Sequence, residues 1–196
     1  MIRSALITPP AGYPVSLAEA KTHLAIPLSE TDHDDLISGL IGAATEVCEN
    51  ITNRKFITQT VEVYYDSFPG TRYLELPFGK LQSVTSLSYV DENGGSQTFS
   101  STKYQADGAG ILGVIQLNEY EEWPDIADEV LRAVTVRYVC GFGAAADVPK
   151  SIKQAILCYV GTLYENRESI ISGTIVAKTP DTVELLLASN RIYYFQ

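Results

Sequence analysis

The sequence predicts an α+β protein, in which a helical bundle formed by the N- and C-terminal segments carries an inserted antiparallel β-sheet segment. Apolar residues recur at helical spacing near both ends of the 196-residue chain and alternate with period two between them. The links between the predicted strands are too short for helical crossovers, which favours antiparallel pairing. We therefore predict a helical core in residues 1–57 and 141–196 and a β-rich insertion in residues 58–140.

The N-terminal part of the predicted helical core contains a helix that begins with a capping box. Ser16 and Glu19 have the spacing at which each side chain satisfies a free backbone N–H of the other residue, and Pro27 ends this short helix. An acidic linker leads into a long second helix, where acidic residues suit the positive end of the helix dipole. One broad apolar stripe marks this helix: Leu36, Ile37, Leu40, Ile41, Ala44, Val47, Cys48 and Ile51.

Small residues narrow part of the long helix. Gly39, Gly42, Ala43 and Ala44 are typical of close helix–helix packing, and the same residues would serve packing within one subunit or between subunits. Both interpretations stay open at this point.

The middle of the chain has strand character. Val61, Val63 and Tyr65 alternate with Glu62 and Tyr64. The stretch Asp91–Gly95 contains Asn-Gly and predicts a hairpin turn, because Asn and Gly readily adopt positive φ. Further strands are predicted at Tyr73–Leu76, Val84–Val90, Gln97–Phe99, Val114–Leu117 and Val134–Cys140.

Helical periodicity returns after Gly141. Asp147-Val148-Pro149 predicts a helix start, with Asp147 as the cap and Pro149 in the first turn. A second amphipathic stripe follows and predicts that the two long helices pack on each other. Asp181 opens a last short helix, and residues 192–196 form an aromatic tail. That tail either docks on the subunit's own helices or inserts into a partner.

Charge and composition exclude several classes of protein. The formal net charge is −10, and the 14 Lys and Arg residues form no basic run, which argues against a protein that grips nucleic acid. We recognise neither a signal peptide nor a membrane-spanning stretch, so we expect folding and assembly in a cytoplasm. The three cysteines are far apart, and we expect them to have packing roles.

We find no catalytic constellation in the sequence. His33 lies between Asp32 and Asp34, but we interpret this as a solvated helix start rather than a metal site. The acidic run Glu119, Glu121, Glu122 and Asp125 predicts an exposed loop with Trp123 packed on the β segment. No phosphate loop or nucleophile elbow is present. We therefore predict no catalytic residue, no bound metal and no cofactor.

Several blocks, in their order along the chain, resemble one known family. They are Pro14–Leu24, the acidic linker leading into Asp34–Ile37, Val134–Gly143, and Val148–Ile156 continuing to Leu163–Glu168. This pattern resembles the head–tail connector (adaptor) family of tailed double-stranded DNA bacteriophages and gene-transfer particles. The resemblance covers nearly the whole chain, although residues 68–128 match in strand character more than in residues.

The resemblance implies a structural role without enzymatic activity. Family members form a cyclic ring beneath the portal protein in the virion neck, after assembly in the host bacterial cytoplasm. The ring extends a channel through which DNA passes without sequence-specific binding, and it carries stopper, head-completion or tail proteins. Carried onto this chain, the resemblance implies portal contacts at Val183, Leu186, Leu187, Arg191, Tyr193, Tyr194 and Phe195. No membrane partner is implied.

Two other functions remain alternatives. A monomeric binding module would use the β segment to recognise a ligand, and a small hydrolase would use a site that the motifs above do not reveal.

Overall fold

The computed structural model describes residues 3–127, 129–166 and 181–193. Within them it has helices and strands in the order that the α+β prediction requires, and the predicted fold class is confirmed. The helices are α1 (Leu17–His23), α2 (Asp34–Thr52), α3 (Lys150–Glu165) and α4 (Asp181–Ala188). The strands are β1 (Arg3–Thr8), β2 (Gln59–Tyr65), β3 (Tyr73–Leu76), β4 (Leu81–Val90), β5 (Ser96–Thr98), β6 (Tyr104–Asp107), β7 (Gly113–Leu117) and β8 (Val134–Cys140).

The chain divides into two compact units. One, the β unit, contains Thr58–Phe142 together with the N-terminal residues through Ala11. The other, the helical unit, contains the described residues of Gly12–Ile57 and Gly143–Gln196. The predicted division into a core of residues 1–57 and 141–196 and an insertion of residues 58–140 stays a prediction.

Two antiparallel sheets build the β unit. The larger has the strand order β1-β2-β8-β4-β5, and the smaller has the order β3-β7-β6. Strand β8 is central in the larger sheet, where Val136 lies opposite Val63 of β2 and opposite Leu87 of β4. Both sheets contribute apolar side chains to one core, which includes Leu76, Leu87, Ile115, Val136 and Tyr138. This core explains why every second residue is buried throughout β8 and from Gln59 to Val63 in β2.

Strands β1 and β6 were not predicted from the sequence. Strand β1 pairs only with β2, at the edge of its sheet, and most of its residues are exposed. Strand β6 has one buried residue, Tyr104, followed by three exposed ones. Neither strand needs the alternation of apolar and polar residues that marks a half-buried strand, so sequence periodicity could not reveal them.

The predicted Asn-Gly turn is confirmed between β4 and β5. Gly94 has φ +80°, which a glycine adopts without strain. The Asp91 carboxylate accepts hydrogen bonds from the backbone N–H groups of Asn93 and Gly95, at 3.0 and 2.8 Å. A further hydrogen bond from the Gln97 amide, together with the Gly95 N–H, lowers the pKa of Asp91 from its ordinary value.

Trp123 packs on the β unit, as predicted. Its ring stacks on Phe68 with 4.7 Å between ring centroids, and its indole N–H donates to the carbonyl of Thr71 at 2.8 Å. The loop that carries the acidic run is therefore held by this aromatic contact and by the ion pair between Glu121 and Lys103.

The helical unit confirms that the two long helices pack on each other. Helix α2 contacts α3, and α3 contacts α4. The rings of His33, just before α2, and Tyr164, near the end of α3, lie 6.0 Å apart edge-to-face. Helices α2 and α3 therefore run antiparallel. Their buried residues include Ile37, Ile41, Ala44, Cys48, Ile152, Ala155, Ile156 and Val160.

The predicted capping box at the start of α1 is confirmed. The Ser16 hydroxyl accepts from the Glu19 N–H at 3.2 Å, and the Glu19 carboxylate accepts from the Ser16 N–H at 2.7 Å. The Ser16 N–H, together with the Ser16 hydroxyl, which donates to the same carboxylate at 2.8 Å, lowers the pKa of Glu19 from its ordinary value of 4.5. The box anchors the first helix of the unit.

The start of α3 differs from the prediction. Asp147 closes a short 3₁₀ turn, Ala145–Asp147, and its carboxylate accepts from the Ala144 N–H at 2.8 Å. Helix α3 begins at Lys150, after Pro149, and no side chain caps it. Asp147 therefore stabilises the turn before the helix instead of the helix itself.

A buried lysine holds the linker between α1 and α2. The side chain of Lys21 is 3% exposed, and its ammonium lies 2.7 Å from Oδ1 of Asp34. It also donates to the backbone carbonyls of Leu28 and Glu30. All three hydrogens of the ammonium are thus used, which is what burial of a charge requires.

Replacing Lys21 with methionine will lower the free energy of unfolding by about 2–3 kcal/mol, because Asp34 and two carbonyls lose their buried partner. Lys153→Met is the matched control, since Lys153 faces Glu19 at 3.7 Å with partly exposed side chains. We expect that control to cost about 0–1 kcal/mol. Urea unfolding measures both, and equal losses would contradict the role assigned to Lys21.

The capping box predicts a pH dependence. The folded-state pKa of Glu19 is lowered, so its stabilising contribution is present above the unfolded value and is lost as pH falls through the folded value. The stability difference between the wild type and Glu19→Gln will therefore shrink as the pH falls from 7 to 3, as followed by urea unfolding. A difference that stays constant over this range would contradict the assignment.

Candidate assembly surfaces

The described residues include no group of three or more His, Cys, Asp or Glu side chains placed to hold a metal ion. Cys48 is fully buried, and burial raises the pKa of its thiol to about 12, which suits a packing role rather than a nucleophile. None of the helices in the described part of the chain combines the length and hydropathy that a membrane-crossing segment needs.

The acidic loop lines an open groove of about 640 Å³ on the β unit. Glu121 pairs with Lys103 at 3.0 Å. Arg72, on the other side of the groove, donates to the carbonyls of Leu117 and Asn118. Tyr120 is 92% exposed at the rim.

The C-terminal segment, which we define as α4 together with residues 189–193, docks on the rest of the helical unit of its own chain. The Ile192 side chain is 2% exposed, and its N–H donates to the Thr52 carbonyl at 2.9 Å. The Asn53 side-chain amide donates to the Ile192 carbonyl at 2.9 Å, and the Arg54 guanidinium donates to the Asn190 carbonyl. The chain is therefore anchored through Ile192 at the end of α2.

The seven predicted portal-contact residues fall into three groups. Val183 and Leu187 are fully buried in the helical unit, and Leu186 is half-buried. Arg191 and Tyr193 are exposed, with the Arg191 guanidinium carbon 5.2 Å from the centre of the Tyr193 ring. Tyr194 and Phe195 lie outside the described residues. The assignment of all seven to the portal stays a prediction.

Two residues of this region were missed by sequence reasoning. Ile192 is a packing anchor, although the sequence groups it with the aromatic tail. Leu185 is 77% exposed. The helical period could have found Leu185, because Val183 and Leu187 bury one face of α4 and a residue two positions from each lies on the opposite face. Leu185 is thus an apolar side chain presented to solvent.

The small residues of α2 have different surroundings. A Cβ added at Gly42 would lie 2.9 Å from the Tyr13 hydroxyl, so Gly42 makes room for Tyr13 within the same unit. A Cβ at Gly39 would have no atom within 4 Å. Packing inside the subunit therefore explains Gly42, and it does not explain Gly39.

Comparison with known proteins found one family model and several solved structures to which this chain is similar. Residues 14–108 match the family model of the phage gp6-like head-tail connector protein. No curated protein matches the chain.

Solved structures extend the likeness to almost the whole chain. A chain in the neck of an empty gene transfer agent (GTA) particle, computed with C6 symmetry, has a TM-score of 0.80 at 19% identity and covers 99% of this chain and 97% of its own. A chain in the virion of the native GTA particle gives 0.78 at 19% identity, with 98% and 97% covered. The neck of the native GTA particle, computed with C12 symmetry, gives 0.74 at 18%, with 100% and 97% covered. At such identities these structures show a shared fold.

The docked end of the chain generates a prediction about stability. Ile192→Ala will lower the free energy of unfolding by about 2–4 kcal/mol, because it removes a buried anchor. Tyr193→Ala, one residue further along, is the control, and we expect a change within about 0.5 kcal/mol because its side chain is exposed. Thermal or urea unfolding separates the two. An Ile192→Ala variant as stable as Tyr193→Ala would show that the segment does not pack as described.

Proposed function

We propose that this chain, whose residues 14–108 match the family model of the phage gp6-like head-tail connector protein, forms a ring beneath the portal of a phage-like particle. Its general role is that of a structural connector protein in the virion neck. Beyond this general role, we propose that the chain assembles into a ring, that the ring binds the portal, and that stopper, head-completion or tail proteins attach to it.

The proposal rests on two matches taken together, one to a family model and one to the fold of solved neck structures. The family match lies in residues 14–108, and the fold match to neck proteins of GTA particles extends over 99% of the chain. The necks of those particles were computed with C6 and C12 symmetry. A cyclic assembly of this chain, with each copy using two different surfaces to meet its two neighbours, agrees with that precedent.

A passive channel wall suits the charge of the chain. Each copy has a formal net charge of −10, so a ring of copies would present a strongly negative body to the DNA that passes through it. Like charge opposes adhesion, whereas a nucleic-acid-binding protein neutralises phosphates with clustered Lys and Arg. We propose that the ring extends the DNA channel, supports stopper, head-completion or tail proteins on its other side, and has no catalytic role.

The C-terminal segment is our proposal for the portal contact. Within it, Arg191 and Tyr193 are exposed and present a charged and an aromatic group at the surface. Val183 and Leu187 are buried and hold α4 in place. Leu186 is half-buried. Tyr194 and Phe195 continue this segment. We expect Val183 and Leu187 to act through the packing of α4 rather than by touching the portal.

Electron microscopy of the purified chain mixed with its cognate portal ring tests this function. We expect an added ring of density on one face of the portal. The double variant Arg191→Ala with Tyr193→Ala should fold normally and lose most of that density. Glu119→Ala with Tyr120→Ala, on the β unit, is the matched control and should bind like the wild type. Portal rings without added density at any protein concentration would refute the proposal.

A further inference from the structure

The helical unit has two ends of opposite charge. Since α2 and α3 are antiparallel, the start of α2 and the end of α3 lie together at one end. At the other end, the Asn190 amide bonds the Ser151 hydroxyl at 3.2 Å, and the Asn190 carbonyl accepts from Arg54. The end of α2, the start of α3 and the C-terminal segment therefore meet there.

We name the end formed by the start of α2 and the end of α3 the acidic end. It consists of residues 28–35 and Glu165. Its carboxylates are those of Glu30, Asp32, Asp34, Asp35 and Glu165. All but Asp34 belong to exposed residues. Within the described part of the chain, the cation placed here is Lys21, which is buried and engaged by Asp34 and two carbonyls and therefore does not pair with the outer carboxylates.

We name the opposite end of the helical unit the basic end. Its cationic residues are Arg54, Lys55, Lys150 and Arg191. Glu49 pairs with Lys55 at 2.8 Å, and Asp147 bonds the Ala144 N–H. Lys150 and Arg191 belong to exposed residues, so the basic end presents positive charge outward although the whole chain is acidic.

Each end also presents an apolar group. Leu28 is 62% exposed at the acidic end, on the linker that Lys21 holds in place. Leu36, in the first turn of α2, is 39% exposed. Tyr193 is 62% exposed at the basic end, with Arg191 over its ring. An aliphatic or aromatic anchor surrounded by charged side chains is the usual composition of a protein–protein contact.

We propose that the acidic end of one copy docks on the basic end of a second copy. This inference rests on the proposed function, and it names the surfaces by which neighbours in the ring meet. Complementary charge favours the head-to-tail contact, whereas two acidic ends or two basic ends repel each other. The two ends are separated by the 19 residues of α2, about 28 Å, so one copy can hold two neighbours at once.

Reversing the charges tests the contact in the free chain. Asp32→Lys with Asp35→Lys removes the net negative charge of the acidic end, and Lys150→Glu with Arg191→Glu makes both ends acidic. In sedimentation equilibrium, we expect the wild-type mass to rise above 21.4 kDa with concentration. Each double variant should lose self-association at least about tenfold. A mixture of the two variants, or one chain carrying all four changes, should associate again.

Matched controls change the same charge on the β unit. Glu119→Lys with Glu122→Lys and Lys80→Glu with Lys103→Glu alter the net charge by the same amounts as the two test variants, and both should associate like the wild type. Circular dichroism checks that every variant is folded. The proposal is overturned if the wild type stays monomeric at every concentration, if the test variants match their controls, or if the mixture does not associate.

These measurements need no portal, so their outcome is separate from that of the portal experiment. A ring that forms on the portal from chains carrying Asp32→Lys with Asp35→Lys, which leave Arg191 and Tyr193 of the proposed portal contact unchanged, would refute the contact between copies and leave the connector function standing. Head-to-tail association of the free chain without portal binding would support the contact between copies and refute the connector function.

Discussion

The linker that joins the first two helices depends on a buried charge, the ammonium of Lys21. An unpaired charge in this position would be costly, so the linker between α1 and α2 must bring two carbonyls and the Asp34 carboxylate to it. The geometry of the linker follows from that requirement. Without it, Leu28 would not be held at the surface, and the acidic residues around it would not be gathered at the start of α2.

Much of the fold could be predicted because its signals are local. The capping box at Ser16, the Asn-Gly turn after Asp91 and the buried alternation of β8 each arise from residues that are close in sequence. Strands β1 and β6 escaped because most of their residues are exposed, so neither strand shows the alternation of apolar and polar residues that marks a half-buried strand. The role of Asp147 was assigned to the wrong element, since a 3₁₀ turn and a helix start share the same cap chemistry.

The candidate surfaces could be predicted only in part, for a physical reason. Sequence identifies α4 and the chain end as apolar, but burial decides which side chains remain available. Ile192 is used to anchor the segment on Thr52 and Asn53, and Leu185 is left exposed. The opposite charges of the two helical ends also depend on the antiparallel packing of α2 and α3, which brings Lys150 next to residues far from it in sequence.

The central claim is that this chain is a subunit of the virion neck, and a cryo-electron microscopy reconstruction of the neck from particles that carry the chain tests it most directly. The account predicts copies of this fold in a closed ring that contacts the portal, with α4 and residues 191–193 toward the portal and the acidic end of each copy against the basic end of its neighbour. Finding the chain in the capsid shell or the tail tube, with no copy at the portal, would contradict it.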